Sequence, residues 1–230
     1  MPKDIIVFDF ETSGRNPNTC QPTQLAAIAL DGRTLKKKGE FNSYMRTLFD
    51  GEEVEAGYAP VEEGALKVTR NPGETREDQI QKLATAPEQE GVWTKFVSFV
   101  GKYTWQGKPF FAPIPAGFNI INYDMPIVNR LCQKYGQWND SRGQQTVFDP
   151  IRKIDVMDNV YMWTENDPDI KSISMDSLRE RMGMETSMAH DALQDVKDTA
   201  NIMIKFMRTH RAVARNLKMD TSFATGMEID

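Results

Sequence analysis

Apolar and polar positions along this chain alternate between strand-like runs and helix-like spacings. Ile5-Ile6-Val7-Phe8, inside the stretch Asp4 to Phe10, is a continuous apolar run and predicts a buried strand. Gly14, Asn16, Pro17 and Asn18 predict a loop after it. A second apolar run covers Gln24 to Leu30. The Asp31-Gly32 pair that follows is a hairpin-type signal, so this strand is expected to pair antiparallel with a third one at Glu40 to Arg46. The stretch 49–91 is rich in Glu, Gly and Pro and predicts a long irregular excursion with short helical pieces. Val92, Phe96, Phe99, Val100 and Tyr103 then recur at the spacing of one helix face.

The second half repeats the alternation of strand and helix. Ala116 to Asn122 reads as a strand. Asp124 caps a helix with Ile127, Leu131 and Tyr135 on one face and Gly136 at its end. Gln137 to Asp149 is polar and loop-like, and Lys153 to Asp158 is a short strand passing into a helix. Ser174 caps a further helix with Leu178 and Met182 inside, closed by Gly183. The last helix starts near Asp191 and buries Leu193, Val196, Ala200, Met203 and Met207. This order predicts an α/β fold: a mixed sheet, three antiparallel strands followed by parallel ones, flanked by helices. Residues 1–210 are expected to form one domain with an irregular insertion at 49–91, and 211–230 a C-terminal tail.

Composition narrows the function classes. A chain of 230 residues can bury a sizeable core. With 28 basic and 33 acidic residues the net charge is −5, which argues against a nucleic-acid coat protein but not against an enzyme that grips only a strand end. No apolar stretch approaches the roughly 20 residues of a spanning helix, so no membrane association is expected. Met-Pro-Lys-Asp leads directly into Ile5, without a basic leader or an apolar signal core. Cys20 and Cys132 sit in unrelated contexts and do not suggest a disulfide framework. A cytoplasmic location is expected.

The candidate chemistry lies in carboxylates. Asp9 and Glu11 are two apart on the first strand and therefore share a face. At about 4 Å and an effective dielectric of about 20, two such charges repel by roughly 4 kcal/mol. A hard divalent cation would turn that repulsion into attraction, whereas a pair pointing to solvent would need none. Asp124 stands at a strand-to-helix junction, where it serves equally as a helix cap. Asp195 lies near the start of the last helix, a place the helix dipole favours for any acid. His190, just before that helix, suits either a base or a cap; the other histidine, His210, lies near the helix's far end.

Taken as an ordered set these residues resemble a known family. Asp9-Phe10-Glu11-Thr12, the segment from Asn119 to Tyr123-Asp124, and His190-x-Ala192-x-x-Asp195 are similar to the three motifs of the DEDDh 3′→5′ exonucleases, which include proofreading subunits of DNA polymerases. Gln24-Leu25-Ala26-Ala27, Ile154-Asp155-Val156 and Ser174 to Gly183 resemble the intervening family segments, with Gln24 where Glu is frequent. The resemblance runs from about Ile5 to about Arg208. It implies a ribonuclease H-like fold and release of nucleoside 5′-monophosphates from 3′ ends of single-stranded DNA or DNA ends. It implies two Mg²⁺ ions, replaceable by Mn²⁺, on Asp9, Glu11, Asp124 and Asp195, with His190 deprotonating or orienting the attacking water. Thr12 and Asn119 match positions that contact the terminal nucleotide or steady the site. Leu66, in the weakly matching Ala65-Leu66-Lys67-Val68-Thr69-Arg70, stands where relatives carry a wedge against the terminal base. Lys67, Arg70 and Arg76 serve as phosphate contacts or as ordinary surface charge. DNA is the favoured substrate, and a polymerase or another replication or repair partner is the setting a proofreading role would require. The alternative on the same fold is an RNA exonuclease of the oligoribonuclease kind. A catalytically silent nucleic-acid-binding module would be expected to have lost a ligand, and all five positions are filled.

Overall fold

The computed structural model of the protein describes residues 2–184 and 191–217. Three strands open the chain: β1 (Ile5–Thr12), β2 (Pro22–Leu30) and β3 (Lys37–Tyr44). β2 runs antiparallel to both β1 and β3. The excursion is more ordered than its composition suggests. It holds the short helices α1 (Glu52–Glu55), α2 (Glu63–Val68) and α3 (Arg76–Ala84), the last closed by a reciprocal Thr75–Asp78 capping box, and it runs into α4 (Gln89–Gly101).

β4 (Ile114–Gly117) is shorter than the apolar run to Asn122 implies. The chain leaves the sheet at Gly117, where a Cβ would lie 2.9 Å from the Phe8 carbonyl oxygen, and turns through Asn119 at a left-handed φ of 57°. Asp155 holds that turn by accepting the N–H groups of Asn119 and Ile121. Helix α5 (Asp124–Tyr135) follows and ends at Gly136, φ 89°. The polar segment after it contains a small hairpin, β5 (Trp138–Asn139) and β6 (Gln144–Gln145), where a loop was expected. Then come β7 (Ile154–Asp155), α6 (Val156–Thr164), α7 (Met175–Met182) and α8 (Ala192–Leu217). α8 continues past Arg211, where a tail was expected. Among the described residues no helix is long and apolar enough to cross a membrane.

The main sheet has the order β3-β2-β1-β4-β7, with β1, β4 and β7 parallel. Alternation along β1 sorts its side chains between two cores. Ile6, Phe8 and Phe10 pack on one side with Trp93 and Phe96 of α4 and Ile127 and Leu131 of α5. The Phe8 ring stacks on Phe148 at 5.1 Å. Ile5 and Val7 pack on the other side with Val160 of α6, Leu178 of α7, and Val196, Ala200 and Met203 of α8. Asp9 and Glu11 continue the Ile5–Val7 face, so they emerge on the side covered by α8.

The Asp31-Gly32 signal makes a wider loop than a two-residue hairpin turn. Leu35 rather than Gly32 takes the positive φ, 59°, and Asp31 Oδ1 accepts the N–H groups of Arg33 and Thr34. Gly32 serves close approach instead, since a Cβ there would sit 1.8 Å from the Lys3 carbonyl oxygen. Gly32→Ala should therefore cost about 1–3 kcal/mol, the usual range for overpacking. Urea denaturation checks this, and an unchanged midpoint would refute the close approach.

Candidate metal centre

The site is built where β1 outruns its neighbour. β4 pairs only with Ile5 to Val7, so the far end of β1 has a strand partner on the β2 side alone. The Phe10 N–H faces the vacated side and donates to Asp124 Oδ1 at 3.0 Å. Asp124 is the first residue of α5 rather than its cap; Tyr123 holds the cap position. Its carboxylate is thus turned back onto β1 and is 2% exposed. This crevice beyond the carboxyl ends of parallel strands, beside a change of strand direction, is where α/β sheets place functional groups.

Asp9, Glu11 and Asp195 meet there, each with a carboxylate oxygen within 4.8 Å of the others. β1 supplies the first two from one face, and the first turn of α8 supplies the third. Asp191 fixes that helix start: its Oδ1 accepts the N–H groups of Leu193 and Gln194, and its Oδ2 accepts Gln24 Nε2 at 3.1 Å. Gln24 is the cross-strand partner of Glu11, so β2 and α8 are tied together beside the cluster.

The electrostatics are those of acids crowded out of water. Burial first, then the neighbouring Asp195, pushes the Asp9 carboxyl up to about 8, while Arg179 pulls it the other way. Burial and the surrounding acids raise Glu11 well above its ordinary range, and burial with Asp9 does the same to Asp124. Oxygen donors of this kind suit a hard divalent cation. Around Mg²⁺, neighbouring ligand oxygens sit about 3 Å apart and opposite ones about 4.2 Å, so the cluster would close on an ion by small side-chain movement.

His190 lies outside the described residues. Thr12 Oγ1 is 2.5 Å from the Tyr123 hydroxyl, and both groups lie against the Gly14 carbonyl, at 2.8 and 2.7 Å. One hydroxyl donates to that carbonyl while the other donates within the pair. Asn119 accepts Asn122 Nδ2 with its side-chain oxygen. Leu66 is 2% exposed on α2, whose capping residue Glu62 donates its N–H to the Ser13 carbonyl just beyond β1. Of the proposed phosphate contacts, Arg76 is paired with Glu63 and Arg70 Nε donates to Gln79.

Sequence reasoning missed Arg179. Met182, expected inside α7, is 38% exposed, and Arg179 is fully buried. α7 is rotated so that Arg179 meets the acidic side of α8, where Asp195 and Asp198 stand three apart. The signal was the pairing of an arginine next to Leu178 with two acids on the following helix. Asp155 is likewise the anchor of the turn before α5, a role its place in the Ile154-Asp155-Val156 strand does not reveal.

A carboxyl that stays protonated to about 8 in the fold, but ionises near 3.8 otherwise, favours the folded state at low pH and withdraws that favour as pH climbs between the two values. The protein in chelator should therefore melt at falling temperature as pH rises through that window. Asp9→Asn should flatten the profile, and a divalent cation should restore stability at the alkaline end. Calorimetry in chelator checks this; a melting temperature that rises across the window would contradict the crowding.

No family model matches the sequence, and no curated protein matches it at a significant level. Solved structures do resemble it. E. coli exonuclease I in complex with a dT13 oligonucleotide superposes with a TM-score of 0.64 and 21% identity, covering 93% of this chain and 43% of that one. The zinc-bound form of the E. coli exonuclease I–single-stranded DNA complex gives 0.62 and 22%, covering 90% and 41%. A moderately thermophilic exonuclease I from Methylocaldum szegediense gives 0.59 and 18%, covering 95% and 41%. The chain spans about two fifths of the length of these structures. The likeness shows that the chain has the ribonuclease H-like fold of these exonucleases, the fold that the motif resemblance implies.

Proposed function

We propose that the protein hydrolyses phosphodiester bonds from the 3′ end of single-stranded DNA, releasing nucleoside 5′-monophosphates, with two Mg²⁺ ions held by Asp9, Glu11, Asp124 and Asp195. Mn²⁺ would substitute for Mg²⁺. The observation that carries this reading is the convergence of Asp9, Glu11 and Asp195 within 4.8 Å at the end of the central strand. The order of the motifs along the chain and the shared fold support it. Similar structures hold dT13 and single-stranded DNA, which favours DNA over RNA as substrate. One is a complex of SSB and exonuclease I with an inhibitor, which suits work beside replication or repair partners.

When bound, a pair of divalent ions supplies a nucleophile at neutral pH and stabilises charge on the leaving oxygen. The chain's own residues supply position. Asp9 and Glu11 are fixed by a strand paired along its length with β2. Asp124 is held against that strand by the Phe10 N–H. His190, two residues before α8, takes the proton from the attacking water. Thr12 at the end of β1 and Asn119 in the turn after β4 meet the terminal nucleotide. Leu66 is assigned to its base by the motif resemblance alone, since the side chain is buried on α2.

End-labelled single-stranded DNA, RNA and duplex test the reading, with Mg²⁺, Mn²⁺ and chelator. The expected product is a 3′-terminal mononucleotide, formed only with metal and faster on single-stranded DNA. Asp9→Asn or Asp195→Asn should abolish turnover in a folded protein; undiminished activity in Mg²⁺ would contradict the ligand assignment. His190→Ala should slow chemistry by about 10²–10⁴-fold, the usual worth of a general base, and a rate that barely moves would make His190 structural.

A further inference from the structure

Arginine is almost never fully buried unless paired, and Arg179 of α7 is completely buried. Its guanidinium is shared among three carboxylates. Nη2 donates to Asp195 Oδ1 at 2.5 Å, Nε to Asp198 Oδ2 at 2.8 Å, and Nη1 to Asp176 Oδ1 at 3.2 Å. Asp198, which is not among the cluster acids, is held at its other oxygen by Gln194 Nε2, 2.9 Å away. The guanidinium is therefore pinned to α8 one turn below the metal-cluster acid and presents a second arm to it.

We propose that Arg179 is a positioning residue for Asp195, orienting its carboxylate toward the divalent-cation site formed with Asp9 and Glu11. The proposal rests on the metal-centre reading above. Three features carry it. First, the fork of a guanidinium is planar and rigid, so anchoring one arm on Asp198 fixes where the other arm holds Asp195. Second, a carboxylate offers about four lone-pair sites, so one that accepts from a guanidinium can also ligate a cation. Third, a helix-to-helix tie alone is served as well by apolar packing, because desolvating a buried ion pair offsets much of its attraction. A buried cation beside a metal-ligand candidate is better accounted for by geometry at that ligand. The same positive charge tempers the repulsion among acids that must stand together before an ion arrives. The clamp also links the two helices between which the chain carries His190.

Mn²⁺ affinity, measured calorimetrically on folded protein, is the test, with oligonucleotide kinetics alongside. Arg179→Met should weaken Mn²⁺ binding by about 10–100-fold, as loss of a group that orients a metal ligand does, and should lower kcat with little change in KM. Arg179→Lys keeps the charge without the fork and should fall between Arg179→Met and the unaltered protein. A lowered melting temperature with unaltered Mn²⁺ affinity would make Arg179 purely structural and overturn the proposal. Should Arg179→Met fail to fold, Arg179→Lys decides by the same criterion. Asp195→Asn separates the two levels of the argument. If it leaves Mn²⁺ binding intact, the metal-centre reading itself falls. If it weakens binding while folded Arg179 variants do not, only the positioning role falls.

Discussion

Mutual repulsion among carboxylates is the constraint around which this molecule is arranged. Asp9, Glu11 and Asp195 share a space in which any two would push apart, and Asp124 is buried behind them. In water such a group would disperse. Here each acid is committed by something stiffer than its own rotamers: a central strand, a helix start capped by Asp191, an N–H at the unpaired edge of β1, and a buried guanidinium. The repulsion is thereby stored, and a proton or a divalent cation relieves it.

The sheet makes this possible through a mismatch of lengths. β1 is eight residues long, whereas its parallel partner β4 is four and pairs with only the first part of β1. Beyond that point the strand is held by β2 alone, and its other edge opens into a crevice. The turn after β4 is short enough to return α5 to that edge, helped by Gly117 lying close to the Phe8 carbonyl and by Asp155 gathering the turn's N–H groups. An apolar strand continued to Asn122 would have filled the crevice and left Asp124 too far along to reach Phe10.

The opposite wall depends on α7 and α8. Their apolar contacts, Leu178 with Val196 and Ala200, place the helices in one core. The Arg179 fork then sets the finer relation between them. Burial of an ion pair adds little net stability compared with apolar packing of the same volume, so its value here lies in orientation. The excursion at 49–91 adds a different kind of wall: α2 is tied through Glu62 to the loop after β1 and flanks the site without contributing to the cluster.

The apolar runs and helical stripes by themselves determined the strand-and-helix order, the mixed sheet and the pairing of the first three strands, because those features follow from periods of two and 3.6 residues and from turn chemistry. The four acids were legible as a candidate set because their order along the chain matches a family pattern. Their distances were not, since residues 9, 124 and 195 are joined only through packing. Tertiary structure alone decided that Asp124 turns back to β1 instead of capping its helix and that Gly32 answers to close approach instead of a tight turn. It also decided the rotation of α7 that buries Arg179 and exposes Met182. Those outcomes depend on which N–H groups lack a strand partner and which charges face one another across helices, and neither is written in local periodicity.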